Sequence, residues 1–342
     1  MLFCHFSKAH SLREISNGLR SASGNLNHLG VSKAPPKSTL AYANEHRNWQ
    51  LFEQFYYALL DHLNFTAGLR KVKFRIKSKI FLLDSTLISL CLNMFDWAKY
   101  RKRKGAIKLH TLLDYDGCLP HYMLLTDGKA ADVKVAQQID LPADSVVVAD
   151  RGYIDFALLH KWHLKGIHFV IRVKQLVQSK VRDQKLNTDH KHILKDEIIR
   201  LQGTKTRYLY PKNLRRISIW DEKNKKVIQV VTNQFSWTAA TIAELYKQRW
   251  QIEIFFKEIK QHLSIKSFVG TSQNAVLIQI WTALISILIL KYLKAVAKYN
   301  WCLSNLIAFL RMNLFTKINL QDWLDKPFDP PPEPLKFQLK IF

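Results

Sequence analysis

Two aspartates and a glutamate stand where carboxylates need a reason. Asp84 lies in "FLLDST", late in an apolar run. Asp150 closes "SVVVAD", and Glu253 sits inside "LYKQRWQIEIFFKEIK". Each alone is readily a solvated charge, and Arg249 with Glu253 is an ordinary i,i+4 helix pair. Asp84, however, interrupts the apolar parity of Ile80 and Leu82, and a buried carboxylate needs hydrogen bonds, a cation or a metal. At about 100° per residue, Tyr246, Arg249, Glu253 and Lys260 fall within an arc of about 60° on one helix face. Leu245, Ile252, Phe256, Ile259 and Leu263 form a separate apolar stripe. Two strand-end aspartates and a helical glutamate together can hold two divalent ions, with Mg²⁺ or Mn²⁺ suited to hard oxygen ligands. Such ions activate a water or a 3′-hydroxyl and stabilise the leaving oxygen of a phosphodiester. Tyr246, Arg249 and Lys260 would hold DNA phosphates beside them.

The composition agrees with a polyanionic partner. Among 342 residues, 52 Lys and Arg oppose 27 Asp and Glu, a formal charge of +25 spread along the chain. That excess favours nucleic acid or an anionic membrane surface. The densest basic stretch is Lys99, Arg101, Lys102, Arg103, Lys104 and Lys108, with Trp97 and Tyr100 beside it. Near Asp84 it is expected to touch phosphate, Lys104 and Lys108 included. Four scattered cysteines without a CxxC suggest neither a zinc knuckle nor a disulfide framework, and a reducing cytoplasm is the simplest compartment. The most apolar segment, 276–290, is short for a bilayer span and is interrupted by Gln279, so it is expected to be a buried core helix. His160 and His163 lack a third ligand and are taken as helix residues. Trp250 and Phe255, off the stripe, are expected to pack against neighbouring elements. His110 is expected to support the core or the site rather than act as a base.

These residues need elements to hold them. The patterning predicts helices over 9–20 and 40–68, then a strand over 71–90 with alternating basic and apolar residues. A hairpin turning at Asp116-Gly117 spans 106–128, and a short helix covers 132–140. A buried strand over 145–153 precedes a helix stopped by Gly166, then the strand "HFVIRVK". Residues 175–225 are charged, with short β-like pieces such as "TRYLY" and "RRISIW". The strand "KVIQVVTN" rejoins the main sheet, residues 238–317 are helical, and the tail is Pro-rich. Strands, mixed α/β, an insertion and then helices make an α/β core with a helical C-terminal part.

The Tyr246-x2-Arg249-x3-Glu253-x6-Lys260 spacing resembles the signature of bacterial DDE transposases of the insertion-sequence-four family. "LDST" and "ADRGY" resemble that family's first and second acidic motifs, in order. "FDWAKYRKRKGAIKLHTLLDYDG", "TDGKAADV" and the run from Leu245 to Trp281 are similar too, so the likeness covers roughly 10–290. It implies an RNase H-like mixed sheet with a β-rich insertion between the second Asp and the Glu. The implied division is a helical N-terminal region 1–70, core 71–174, insertion 175–225, core with signature helix 226–268, and C-terminal helices with the tail 269–342. It implies Asp84, Asp150 and Glu253 as catalytic metal ligands, Mg²⁺ as cofactor with Mn²⁺ as substitute, and Tyr246, Arg249 and Lys260 as DNA contacts. It implies cutting of element ends and strand transfer into double-stranded target DNA, by a homodimer in a synaptic complex, in the nucleoid of a bacterial cytoplasm and not at a membrane. An RNase H-like nuclease without strand transfer, or a DNA-binding remnant, would use the same residues. Relatives place "HSLREISNGLR" after a further N-terminal stretch, so the 1–70 region is expected to be shortened. Some relatives carry a Trp on the strand before the signature helix, and "VIQVVTN" has none, which makes nicking a firmer expectation than hairpin formation.

Overall fold

The computed structural model describes residues 1–22, 26–67, 76–90, 97, 99–101, 104–173, 178–184, 191–262, 268–316 and 318–328. They fall into two units. A helical unit comprises Met1–Gly68, His262–Gly270 and Asn274–Phe342, and a sheet unit comprises Leu69–Gln261 with Thr271–Gln273.

The helical unit opens with α1 (Leu2–Ser7), α2 (Leu12–Ser21), α3 (Lys37–His46) and α4 (Gln50–Ala67). Ser11 starts α2, its hydroxyl accepting from Glu14 N while Glu14 reaches back to His10 N. The helix expected over 40–68 is two helices, because the chain leaves α-geometry at Arg47 and Asn48 Oδ1 accepts from Gln50 N to begin α4.

The sheet unit runs β1 (Ile80–Leu90), β2 (Lys99–Arg101), β3 (Lys104–Asp114), β4 (Leu119–Asp127), α5 (Asp132–Ala136), β5 (Val146–Ala149), α6 (Phe156–Leu164) and β6 (His168–Val173). It continues β7 (Ser179–Gln184), β8 (Ile193–Leu201), α7 (Thr204–Leu209), β9 (Leu214–Asp221), β10 (Lys226–Thr232), α8 (Ala239–Gln248) and α9 (Trp250–His262). The helical unit then resumes with α10 (Gln273–Val296), α11 (Leu303–Met312) and α12 (Leu320–Asp325).

The ten strands among the described residues form one sheet. Its first half runs β4-β3-β1-β5-β6, with β4, β3 and β1 antiparallel and β1, β5 and β6 parallel. That order and those directions are the RNase H-like arrangement. Beyond β6 the sheet continues antiparallel through β10, β9, β8 and β7. The 175–225 segment therefore widens the same sheet.

The strand expected from residue 71 begins at Ile80. Ladder partners explain this: pairing starts with Ile80 on Val146 and Phe81 on Asp114, and just before it Lys79 O accepts from Val146 N. Residues 71–75 lie outside the described set. "TRYLY" is helical over Thr204–Leu209, following Gly203, whose carbonyl accepts from Thr206 Oγ1. Tyr208 is 86% exposed while Tyr210 is buried, the mixture that read as strand alternation.

Strand β5 is buried throughout. Phe81, Leu83, Val147, Ala149, Phe169 and Ile171 on one parity pack with Leu158, Leu159 and Trp162 of α6. Leu82, Val146, Val148 and Val170 on the other parity are buried as well, so these central strands are covered on both faces. Gly166 stops α6 at φ +72°, a left-handed position that suits glycine. In the helical unit, Ala275 through Leu288 of α10 are all buried. That helix is long and apolar enough to cross a membrane, yet 78% of its apolar window lies inside the protein, as a core helix does.

Candidate active site

Asp84 and Asp150 are neighbours by strand register. Leu83 of β1 pairs with Ala149 of parallel β5, so the next residue on each strand is an aspartate. Side chains alternate along β1, which puts Asp84 and Thr86 on the parity of Leu82. Ser85 N donates to Asp84 Oδ1 at 2.8 Å. The third carboxylate comes from α9. Helices α8 and α9 are separated at Arg249, which keeps right-handed dihedrals and so preserves the facing of the signature residues. Arg249 Nη1 donates to Asp84 Oδ2 at 3.4 Å, and Nη2 donates to Glu253 Oε1 at 2.5 Å. One guanidinium thus joins the first aspartate to the glutamate. Lys260, further along α9, donates from Nζ to Thr86 Oγ1 at 2.5 Å.

Several contacts fix these helices. Thr238 caps α8 by accepting from Thr241 N. Tyr115, just past β3, donates to Gln248 Oε1 at 3.3 Å. Arg215 of β9 is buried in a two-pronged pair with Asp196 of β8, at 2.8 and 2.7 Å, and donates to Trp237 O at 2.6 Å. The added strands therefore grip the loop that launches α8.

The electrostatics mark the acidic trio. Burial pushes the Asp84 carboxyl up to about 6, and the negative charges of Asp150 and Glu253 add to the rise against the Ser85 amide and Arg249. Asp150 Oδ1 is buried without a hydrogen-bond partner. Burial opposes the charge of Arg249, but Glu253, Tyr246 and Asp84 more than compensate and raise its pKa. A hard divalent cation fits this set: three carboxylates, one with an orphaned buried oxygen and another held partly protonated, would all be relieved by positive charge. Among the described residues no three metal-ligating side chains are already closed into a cluster, and Arg249 bridges the first aspartate and the glutamate.

Other expected site residues are placed differently. Tyr246 is only 8% exposed, with the Arg249 guanidinium 6.0 Å from its ring centre. Phe255 is buried as expected, but Trp250, the first residue of α9, is 57% exposed. Lys104 opens β3, its side chain outside the described set along with Lys102 and Arg103. Lys108 does not reach out. Its ammonium pairs with Asp132 at 2.9 Å and donates to Ala130 O at 3.1 Å.

Asp132 is the residue that sequence reasoning missed. Its Oδ1 accepts from Ser85 Oγ at 2.6 Å and lies 3.4 Å from His110 Nδ1. Burial works to raise its pKa, but His110, Ser85 and Lys108 beside it carry it down to about 2. Ser85 pairs with His110 and Leu87 with Lys108 across β1 and β3, so this network lies on the face opposite Asp84 and braces it from behind. The available signal was the i,i+2 spacing of Lys108 and His110 on one strand face.

Residues 75–289 match the transposase DDE domain family, and residues 1–32 match a domain of unknown function, DUF4372. The chain is 31% identical over 252 residues to a transposase of insertion sequence element IS5377 from Geobacillus stearothermophilus, covering 73% of this chain and 66% of that protein, just under two thirds of its length. It is 30% identical over 262 residues to transposase y4zB of Sinorhizobium fredii, covering 75% and 71%. A transposase of insertion sequence element IS4SA from Synechocystis is 24% identical over 296 residues, covering 84% and 80%. A piggyBac transposase solved in a synaptic complex with hairpin DNA has a TM-score of 0.43 at 10% identity, over 96% of this chain and 81% of that one. The chain belongs to the DDE transposases of bacterial insertion sequences, a family of DNA-cleaving and strand-transferring enzymes whose function is DNA transposition.

Proposed function

We propose that this chain cuts DNA at the ends of an insertion sequence and joins those ends to target DNA, with Asp84, Asp150 and Glu253 as the metal-holding carboxylates. The observation that carries this is the register that sets Asp84 beside Asp150, with Glu253 tied to Asp84 through Arg249. Mg²⁺, or Mn²⁺ in its place, would supply a lowered pKa for the attacking water or 3′-hydroxyl and charge for the leaving oxygen. Asp84 and Asp150 hold the sheet side of the site, and Glu253 closes it from α9. Arg249, at the junction of α8 and α9, and Lys260, on α9, would receive phosphates, with Tyr246 packed beneath the guanidinium. Lys104 adds a phosphate contact, whereas Lys108 is held by Asp132.

The spacing of Tyr246, Arg249, Glu253 and Lys260 supports the insertion-sequence-four type. The partners are the element's terminal inverted repeats and duplex target DNA, handled by a homodimer in the nucleoid of the bacterial cytoplasm. Residues 71–174 and 226–268 make the catalytic core, 175–225 the insertion, and 1–70 with 269–342 the helical part that would grip element ends. Mg²⁺-dependent cutting of linear DNA carrying those ends tests the reading. Native protein should nick at the element tip, and Glu253→Gln should bind the same DNA without cutting. Equal cutting by the variant would refute the role of Glu253. Nicking without any joined product would leave a nuclease in place of a transposase.

A further inference from the structure

We propose that Arg249 is a built-in counter-ion that occupies the carboxylates until DNA phosphate draws it away, so that metal and DNA binding reinforce each other. This rests on the reading of Asp84, Asp150 and Glu253 as metal ligands. The guanidinium spans Asp84 Oδ2 and Glu253 Oε1, two of the three ligands, at 3.4 and 2.5 Å. Arginine stays charged at any working pH, so it always competes with another cation for these oxygens. Its competition is uneven. It touches Asp84 and Glu253, while Asp150 Oδ1 is left buried and unpartnered. Two of the ligands thus share one positive charge, which the third does not touch.

Release has a structural route. Arg249 stands at the junction of α8 and α9, where its own N–H bonds to Tyr246 O and its carbonyl accepts from Ile252 N in a turn. The guanidinium can therefore swing on a long side chain at the point where two helices meet. A phosphate offers the same two-pronged acceptor geometry as the carboxylates. Once the guanidinium moves to phosphate, Asp84 and Glu253 carry uncompensated charge beside Asp150. Their demand for a divalent ion rises at that moment. By linkage, the metal must then tighten DNA by the same factor. A site so arranged is poorly charged with metal when no DNA is present, which guards against stray cutting.

Mn²⁺ binding to the full chain, read from the electron paramagnetic resonance of the free ion, tests this without any cleavage assay. The set is native protein, Arg249→Met, Arg249→Lys and Asp150→Asn, each with and without a short duplex. Arg249→Met should bind Mn²⁺ about tenfold more tightly than native without DNA, the effect of one lost charge-assisted competitor. Its affinity should no longer rise when duplex is added. Arg249→Lys, which keeps charge but not the fork, should fall between the two and covers the case in which the Met variant does not fold. Mn²⁺ affinity equal to or weaker than native in both arginine variants would overturn the proposal. Unchanged Mn²⁺ binding by Asp150→Asn would instead show that the ligand reading itself is wrong.

Discussion

His5 in the helical unit and Asp84 in the sheet unit are both ionisable groups withdrawn from water, and burial pushes each toward its neutral form. Burial lowers His5 to about 3, and its Nε2 sits 3.0 Å from Thr282 Oγ1. Burial raises Asp84 to about 6. At neutral pH the outcomes diverge. His5 is neutral there by a wide margin, although its Nδ1 is buried without a hydrogen-bond partner. Asp84 must ionise against its surroundings, beside two further carboxylates. The helical unit holds its buried ionisable group neutral, and the sheet unit keeps a carboxylate whose charge a cation would relieve.

The sharpest way to break that contrast is to remove a neighbouring carboxylate. Asp150→Asn should lower Mg²⁺-dependent cutting by about a thousandfold or more, on the scale of removing one group from a catalytic unit. The thermal midpoint of the same variant should hold or rise. A stability loss matching the activity loss would make Asp150 a structural residue and erase the difference between the units.

His5 supplies the next largest effect. Its folded pKa lies below the unfolded value of about 6.5, so the native state binds fewer protons between the two. Its stabilising share is complete above about 6.5 and is lost as pH falls toward about 3. His5→Leu should therefore flatten acid unfolding in that window by about 3–5 kcal/mol, followed by circular dichroism in denaturant. An unchanged acid profile would mean that His5 is protonated at no cost.

Asp84 runs the other way. Its folded pKa lies above the unfolded one, so the native state keeps a proton that the unfolded chain loses. Stability is highest below about 4 and declines as pH rises through about 6. Without divalent ions, Asp84→Asn should be more stable than native at pH 8 by about 1–3 kcal/mol, with the gain vanishing by about pH 4. Added Mg²⁺ should shrink the gap by stabilising native protein alone. Asp132 sharpens the comparison from within the sheet unit. Its pKa is held down to about 2, so its contribution is present above about 4 and is lost as pH falls toward 2. Asp132→Asn should cost about 1–2 kcal/mol at pH 7 by chemical denaturation, the discount reflecting its partial exposure. A neutral effect would reduce the Lys108, His110 and Ser85 contacts to incidental geometry.

Much of this was legible along the chain, and particular residues show where legibility ends. Asp84 and Asp150 could be read because apolar strands frame them, and Arg249 with Glu253 because four residues separate a helix pair. The bridge from Arg249 to Asp84 could not, since it joins residues 165 apart in the chain and forms only where the junction of α8 and α9 meets β1. Residues 76–79 have the alternation of a strand, but ladder pairing starts only at Ile80, and pattern without partners does not make a sheet. Tyr246 was read on the polar border and is buried, whereas Trp250 was read as packed and is exposed. A helical wheel gives the direction of a side chain and not what the rest of the fold lays over it. Asp132, at the start of α5, carried no local signal of its own, because its partners lie on β1 and β3.

The order of the chain also sets when the site can exist. Strands β1 and β5 emerge early, but the strands from β7 to β10 must be made before the α8–α9 junction and α9 bring Arg249 and Glu253 back to Asp84. Contacts this distant in sequence form slowly and late. During synthesis the nascent chain therefore spends most of its length as a harmless, half-built sheet. A product cut short before Arg249 would keep both aspartates and lack the third carboxylate together with the arginine that quiets them. Competence to cut and the means of restraint arrive in the same helical turn.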